Sequence, residues 1–117
     1  MIVLYGIPNC DTVKRSRTWF DERRIAYAFH DFKKQGVPVA ALDAWLAKLG
    51  WEPLVNKKGT TWRKLDAAVQ SAVVDVASAR ALLLREPSVI KRPVVMLGDA
   101  ITVGYAPDAW ASAAKGA

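Results

Sequence analysis

The chain is poor in the residues that build metal and disulfide sites. Its 117 residues include one cysteine, Cys10, and one histidine, His30. A single cysteine excludes an internal disulfide, and one Cys with one His falls short of a tetrahedral zinc site. Long apolar runs are missing too. Runs such as 81–84 and 94–97 are far below the roughly 18 residues of a membrane helix. The start, Met1-Ile2-Val3-Leu4-Tyr5, has no basic n-region and breaks at Gly6, which argues against a signal peptide. No internal repeat or linker divides the sequence. The expectation is one cytoplasmic, monomeric domain over residues 1–117, with no membrane contact, no metal and no tightly bound cofactor.

What is present is ordinary globular material, 52% hydrophobic and 24% charged. Lys and Arg number 17 against 11 Asp and Glu, a net charge of +6. That excess suits an anionic partner. The cations occur as scattered pairs: Lys14-Arg15, Arg23-Arg24, Lys33-Lys34, Lys57-Lys58, Arg63-Lys64 and Lys91-Arg92. A pair of this kind is ordinarily solvated surface. No RNA-recognition motif, zinc finger or heptad-linked basic region is visible, so nucleic acid is not an expected partner and a small anionic substrate is.

Hydrophobic spacing predicts alternating strands and helices. Residues 2–5 read as a strand ended by the turn Gly6-Ile7-Pro8-Asn9. Residues 11–24 lack Gly and Pro and place Val13 and Phe20 on one face, which predicts an amphipathic helix. Aromatic content favours a second strand over 25–32, followed by a loop at 33–36. Leu42, Trp45, Leu46 and Leu49 mark a helix over 40–49 that stops at Gly50. A loop with a short helical turn follows over 51–61, then another helical segment over 61–69. Asp75 is placed to cap a helix whose Ala79, Leu82 and Leu83 face inward and which ends near Glu86-Pro87. Residues 94–97 and 101–105 read as a hairpin, hence an antiparallel pair. A final helix begins near Pro107-Asp108 and carries Trp110. The order is that of an α/β domain with a mixed sheet.

The chemistry gathers at the first turn. A lone cysteine is most often a small buried hydrophobe. Cys10, however, follows a strand and a turn and opens a helix, where free backbone N–H groups and the helix dipole favour negative charge. Thiolates are stabilised at such helix starts and beside cations. Lys14 and Arg15 lie one turn on and add to the field, while Asp11 opposes it. Cys10 is therefore read as a nucleophilic thiolate. Arg92 precedes Pro93 and is restricted to an extended conformation at a strand entrance. Its planar fork suits an oxyanion, a carboxylate or a thiolate, or else it is surface charge. His30 and the tryptophans of the helical patterns, Trp19, Trp45 and Trp110, read as structural. Trp62, between Thr61 and Arg63, is a candidate support for the basic loop around it.

Three segments together, Ile7-Pro8-Asn9-Cys10-Asp11-Thr12, Asn56-Lys57-Lys58-Gly59-Thr60-Thr61-Trp62-Arg63 and Ile90-Lys91-Arg92-Pro93, resemble the arsenate-reductase-like family. That family also contains Spx regulators and YffB proteins, and the resemblance is nearest the YffB branch. It implies a thioredoxin-like fold with a helical insert at about residues 38–86, and a cis peptide before Pro93 facing Cys10. Arsenate reductases of this type carry three arginines around the anion. Arg92 matches one; Lys58 matches another without the bidentate fork; Gly104 stands near the third place, with no cation. The resemblance thus implies a monothiol reductase more than an arsenate reductase. Cys10 attacks a disulfide or oxidised thiol, and an external thiol, glutathione as co-substrate, resolves the mixed disulfide. Arg92 and Lys58 are expected to bind a glutathione carboxylate or steady the thiolate, with Lys14 adding charge. Asn9 and Thr12 are expected to hydrogen-bond around the sulfur, and the backbone beside Pro93 to pair with the extended peptide. The alternatives are an Spx-like regulator that contacts RNA polymerase and an arsenate reductase with a reduced anion clamp. The Cys-x-x-Cys switch of many Spx proteins is absent, because Val13 holds the fourth position.

Overall fold

Apolar strands and amphipathic helices assemble here into a four-stranded mixed sheet and, separately, a helical segment. The computed structural model describes residues 1–115. The chain divides into two compact units, one of Met1–Gly36 with the chain from Arg92 on, the other of Val37–Lys91.

In the first unit, β1 (Ile2–Gly6) leads to α1 (Asp11–Glu22), β2 (Ala28–Asp31) and the short α2 (Phe32–Gln35). The chain returns to this unit as β3 (Val94–Leu97), β4 (Ala100–Val103) and α7 (Pro107–Lys115). The sheet order is β2-β1-β3-β4. β1 and β2 run parallel, with Gly6 opposite Asp31, as strands joined through a crossover helix must. β1 and β3 are antiparallel, with Leu4 opposite Val95 and Tyr5 opposite Val94. β3 and β4 form the expected hairpin, with Val94 opposite Val103. Its loop is Gly98-Asp99, and Gly98 takes φ +61, a left-handed conformation that suits glycine.

The period-2 alternation of β1 and β3 puts Leu4, Val95 and Leu97 on one face, where they meet Val13, Trp19 and Phe20 of α1 and Trp110 of α7. Trp110 is fully buried, with its ring centroid 5.1 Å from Phe20 and 5.4 Å from Trp19. Its indole N–H donates to Thr102 Oγ1 at 2.7 Å, so the one polar atom of this large side chain is satisfied. On the opposite face Tyr5 is buried against His30 and Phe32. Burial raises the Tyr5 phenol above its ordinary pKa.

Two expectations for this unit are corrected. The helix stops at Glu22, short of 24, because Arg24 adopts φ 56. Ile25 N–H then donates to the Phe20 carbonyl at 3.0 Å and Arg24 N–H to that of Asp21 at 3.1 Å. This is a Schellman ending with arginine where glycine is usual, and it delays the second strand to Ala28. Residues 33–36, expected as loop, contain one helical turn, since the Asp31 carboxylate caps it by accepting from Lys33 N–H at 2.8 Å.

The second unit is helical: α3 (Val39–Leu49), a 3-10 turn at Glu52–Leu54, α4 (Thr60–Lys64), α5 (Ala67–Ser71), α6 (Val76–Arg85) and a 3-10 turn at Pro87–Val89. Gly50 ends α3 at φ +79. Asp75 caps α6 through a capping box with Ser78, and Ala79, Leu82 and Leu83 are buried. Arg80 of α6 pairs with Asp43 of α3 at 2.6 Å. The helical segment expected over 61–69 is two short helices, because Leu65 and Asp66 take extended ψ values of 146°.

Candidate functional site

The loop from β1 into α1 carries Ile7, Pro8, Asn9 and Cys10. Gly6 is buried, and a Cβ built there would lie 2.8 Å from Val13 Cγ2. Only glycine lets the first turn of α1 come so close to the end of β1, and this approach sets the position of Cys10. Cys10 is the N-cap of α1, with φ −146 and ψ 122, and its carbonyl accepts the first helical bond from Lys14 N–H at 2.9 Å. No side chain caps this helix start. The N-cap position, normally held by a hydroxyl or carboxylate oxygen, is occupied by sulfur. Cys10 is half-buried and packs against the Leu4–Val13–Trp110 core on one side.

The sheet register brings the other pieces of the first unit to the same end. Tyr5 lies opposite Val94, so Gly6 comes opposite Pro93, and Gly6 is also opposite Asp31. Gly104 N–H donates to the Pro93 carbonyl at 2.8 Å. Asp31, Gly6, Pro93 and Gly104 therefore mark one edge across all four strands, the edge from which the Cys10 loop departs. The Arg92–Pro93 peptide is cis; Pro93 is buried and Arg92 half-buried.

Of the residues singled out in the sequence, Asn9, Cys10, Thr12, Lys14, Arg92 and Pro93 all belong to the first unit. Asn9 is exposed and Thr12 half-buried; neither hydrogen-bonds the sulfur among the described residues. The Thr12 carbonyl accepts from Ser16 Oγ at 2.7 Å. Lys14 is exposed. The Pro93 carbonyl already accepts one hydrogen bond, from Gly104, and keeps a second lone pair. Lys58 belongs to the second unit, exposed on the loop before α4. Its neighbour Lys57 points its Nζ at two indoles, 5.6 Å from the Trp62 centroid and 5.9 Å from Trp51. Trp62 thus supports the basic loop through a cation–π contact.

Two features escaped the sequence reading. One is the contact of Gly6 with Val13, since a strand-ending glycine looks like any turn glycine. The other is Arg15, whose guanidinium carbon stands 3.9 Å over the Tyr105 ring. Tyr105 follows Gly104, so a cation of α1 reaches the place beyond β4 where the sequence itself offers none. His30 has a structural role, its Nε2 lying 2.8 Å from the Gly36 carbonyl. Among the described residues no cluster of His, Cys, Asp and Glu is placed to hold a metal, and no helix is long and apolar enough to cross a membrane.

A mixed sheet whose first β–α turn carries a cysteine, and whose third strand is entered through a cis-proline, defines a thioredoxin-like α/β fold. The comparisons place it further. The ArsC family profile matches residues 5–113, and the chain belongs to the ArsC family. It is similar to the solved structure of a YffB protein, with 50% identity, a TM-score of 0.91, and 97% and 98% of the two chains covered. It is also similar to an arsenate reductase related protein from Brucella melitensis, at 45% identity and TM-score 0.73, covering 95% and 92%. Among sequences, a Haemophilus influenzae protein described as uncharacterized is 37% identical over 90% of this chain and 91% of its own. The global transcriptional regulator Spx of Bacillus subtilis is 21% identical, covering 92% and 82%.

Proposed function

We propose that this protein is a glutathione-dependent thiol–disulfide reductase that works through Cys10 alone. The observation that carries the reading is the placement of Cys10 at an uncapped helix start, on the sheet edge that also holds Arg92 and cis-Pro93. A helix that spends its N-cap on sulfur gains little stability from it, whereas the free N–H groups suit a thiolate.

The chemistry closes with two exchanges. The Cys10 thiolate attacks the glutathione sulfur of a mixed disulfide; the substrate S–S bond breaks, a Cys10–glutathione disulfide forms, and the substrate leaves as a thiolate that takes a proton from water. A second glutathione, as thiolate, attacks its fellow on Cys10. Glutathione disulfide departs and Cys10 returns as thiolate. The substrate thiol is reduced and two glutathione sulfurs end oxidised. The chain holds no second cysteine to compete for the adduct. Arg92 provides a cation for a glutathione carboxylate, Lys14 adds charge on the first turn of α1, and Asn9 and Thr12 offer polar groups on either side of Cys10 in the chain.

Incubation with glutathione disulfide tests this reading directly. The expected product is a single glutathione adduct on Cys10, seen by intact mass and reversed by excess glutathione. Arg92→Ala is expected to slow adduct formation by about tenfold, the range of a lost charge-assisted contact. No adduct, with iodoacetamide labelling no faster than that of a free peptide cysteine, overturns it. Similarity to Spx across 92% of the chain favours a second reading, a regulator that binds the transcription machinery; retention of RNA polymerase by the Cys10→Ser protein supports that one.

A further inference from the structure

Several cations of this protein are engaged by aromatic rings or a carboxylate. Arg15, Arg17 and Arg23 of α1 each stack on an aromatic ring, at 3.9, 4.2 and 4.3 Å, and Arg80 is paired with Asp43. The stretch 53–65 is different. It contains Lys57, Lys58, Arg63 and Lys64 and no Asp or Glu. All four are exposed, and among the described residues the side chains of Lys58, Arg63 and Lys64 make no hydrogen bond or ion pair. Lys57 contacts only indole rings, which leave its charge in place.

The backbone beneath them is held firmly. Asn56 N–H donates to the Val89 carbonyl at 2.8 Å, Val55 bridges Ile90, and Gln70 Nε2 donates to the Trp62 carbonyl at 2.8 Å. Gly59 packs so closely that a Cβ would lie 2.8 Å from Asn56 Nδ2. Four unneutralised charges are thus displayed from a fixed turn and a short helix. Glutathione, whose carboxylates are partly offset by its own ammonium, needs fewer cations than this.

We infer that residues 57–64 are a docking surface for an acidic protein segment, and that the disulfide this enzyme reduces is carried on such a partner. The assignment of the disulfide rests on the thiol-reductase reading above; the docking surface does not. Charge complementarity selects the occupant, because four cations within residues 57–64, with the nearest acids in sequence at Glu52 and Asp66, favour Asp- and Glu-rich partners and repel basic ones. Single-stranded nucleic acid is the less suited polyanion. It is held by bases stacked on open aromatic faces, and both indoles here, Trp51 and Trp62, already carry the Lys57 ammonium.

The test uses the intact protein and cysteine peptides carried as glutathione mixed disulfides, one acidic, one neutral and one basic. The rate of glutathione transfer to Cys10 is expected to be about tenfold higher for the acidic peptide than for the basic one at low salt. The preference should vanish near about 1 M salt, where the Debye length is about 3 Å. Arg63→Gln with Lys64→Gln is expected to remove most of the preference and leave the neutral peptide's rate unchanged. Equal rates for acidic and basic peptides, or a preference untouched by the double variant, overturn the inference. Should no peptide transfer glutathione to Cys10, the reductase reading fails and the surface is judged by binding. Anisotropy of a fluorescent, cysteine-free acidic peptide must then show binding that salt and the double variant weaken. Absence of that binding, or tighter binding of a single-stranded oligonucleotide than of the acidic peptide, overturns it.

Discussion

Two helices of this protein begin in opposite ways. α6 opens on Asp75, whose carboxylate accepts from Ser78 N–H at 2.9 Å in a complete capping box. α1 opens on Cys10 without a side-chain cap, although it is the longer helix and supplies Val13, Trp19 and Phe20 to the sheet's core. α3, α4 and α5 also start without a side-chain cap, so it is the sulfur at the open start of α1, in the unit that also holds cis-Pro93, that places the proposed chemistry at Cys10.

The strongest way to break the contrast is Cys10→Ser. It converts the open start into a conventional cap, so glutathione adduct formation is expected to disappear altogether. Stability is expected to rise by about 0.5–1 kcal/mol, the lower range of N-cap effects, in urea unfolding. A variant that loses stability instead would show that the sulfur is there for packing. Gly6→Ala comes next. Its Cβ collides with Val13, displaces the first turn of α1 and is expected to cost about 1–3 kcal/mol, as overpacking does, and to slow adduct formation by about tenfold. Adding Val13→Ala opens the space and should recover most of the adduct rate, which a mere loss of stability would not do.

At the capped helix the expected effects are smaller. Asp75→Ala should lower the thermal midpoint and leave Cys10 alkylation as it was. The Asp75 carboxyl is held below its ordinary pKa by hydrogen bonds from the backbone and side chain of Ser78. Its stabilising contribution is therefore complete above the unfolded-chain value of about 3.9 and fades as pH falls through the lower folded value. The midpoint gap between wild type and Asp75→Ala should be constant from neutral pH to about 5 and narrow below about 4. A gap that persists unchanged in acid would mean that Asp75 acts through its shape and not its charge.

Much of this architecture can be read from local pattern. The first strand, the opening of α1 at Cys10, the Gly50 stop, the Asp75 cap, the hairpin and the burial of Trp110 all follow from residues a few positions apart. What escapes is set by approach between distant residues or by unusual backbone. Arg24 in the left-handed region ends α1 early, and nothing about an arginine announces that conformation. The single turn of α2 depends on Asp31 turning back to cap it. The Gly6–Val13 contact and the Arg15–Tyr105 stack exist only once strand, helix and hairpin are assembled. Which of the neighbours Lys57 and Lys58 finds the two indoles is likewise invisible in the sequence.

The strand pairing of Leu4 with Val95 joins chain segments that lie on either side of Val37–Lys91. Helices of that intervening stretch can form from near neighbours, while the central pairing waits on a long ring closure, the kind of contact that slows folding. Ring-closure entropy grows only logarithmically, and each doubling of the loop costs about 0.6 kcal/mol. Ring closure therefore sets little penalty on the length of the intervening stretch, which is constrained instead by its own buried residues such as Trp45, Leu54 and Leu82.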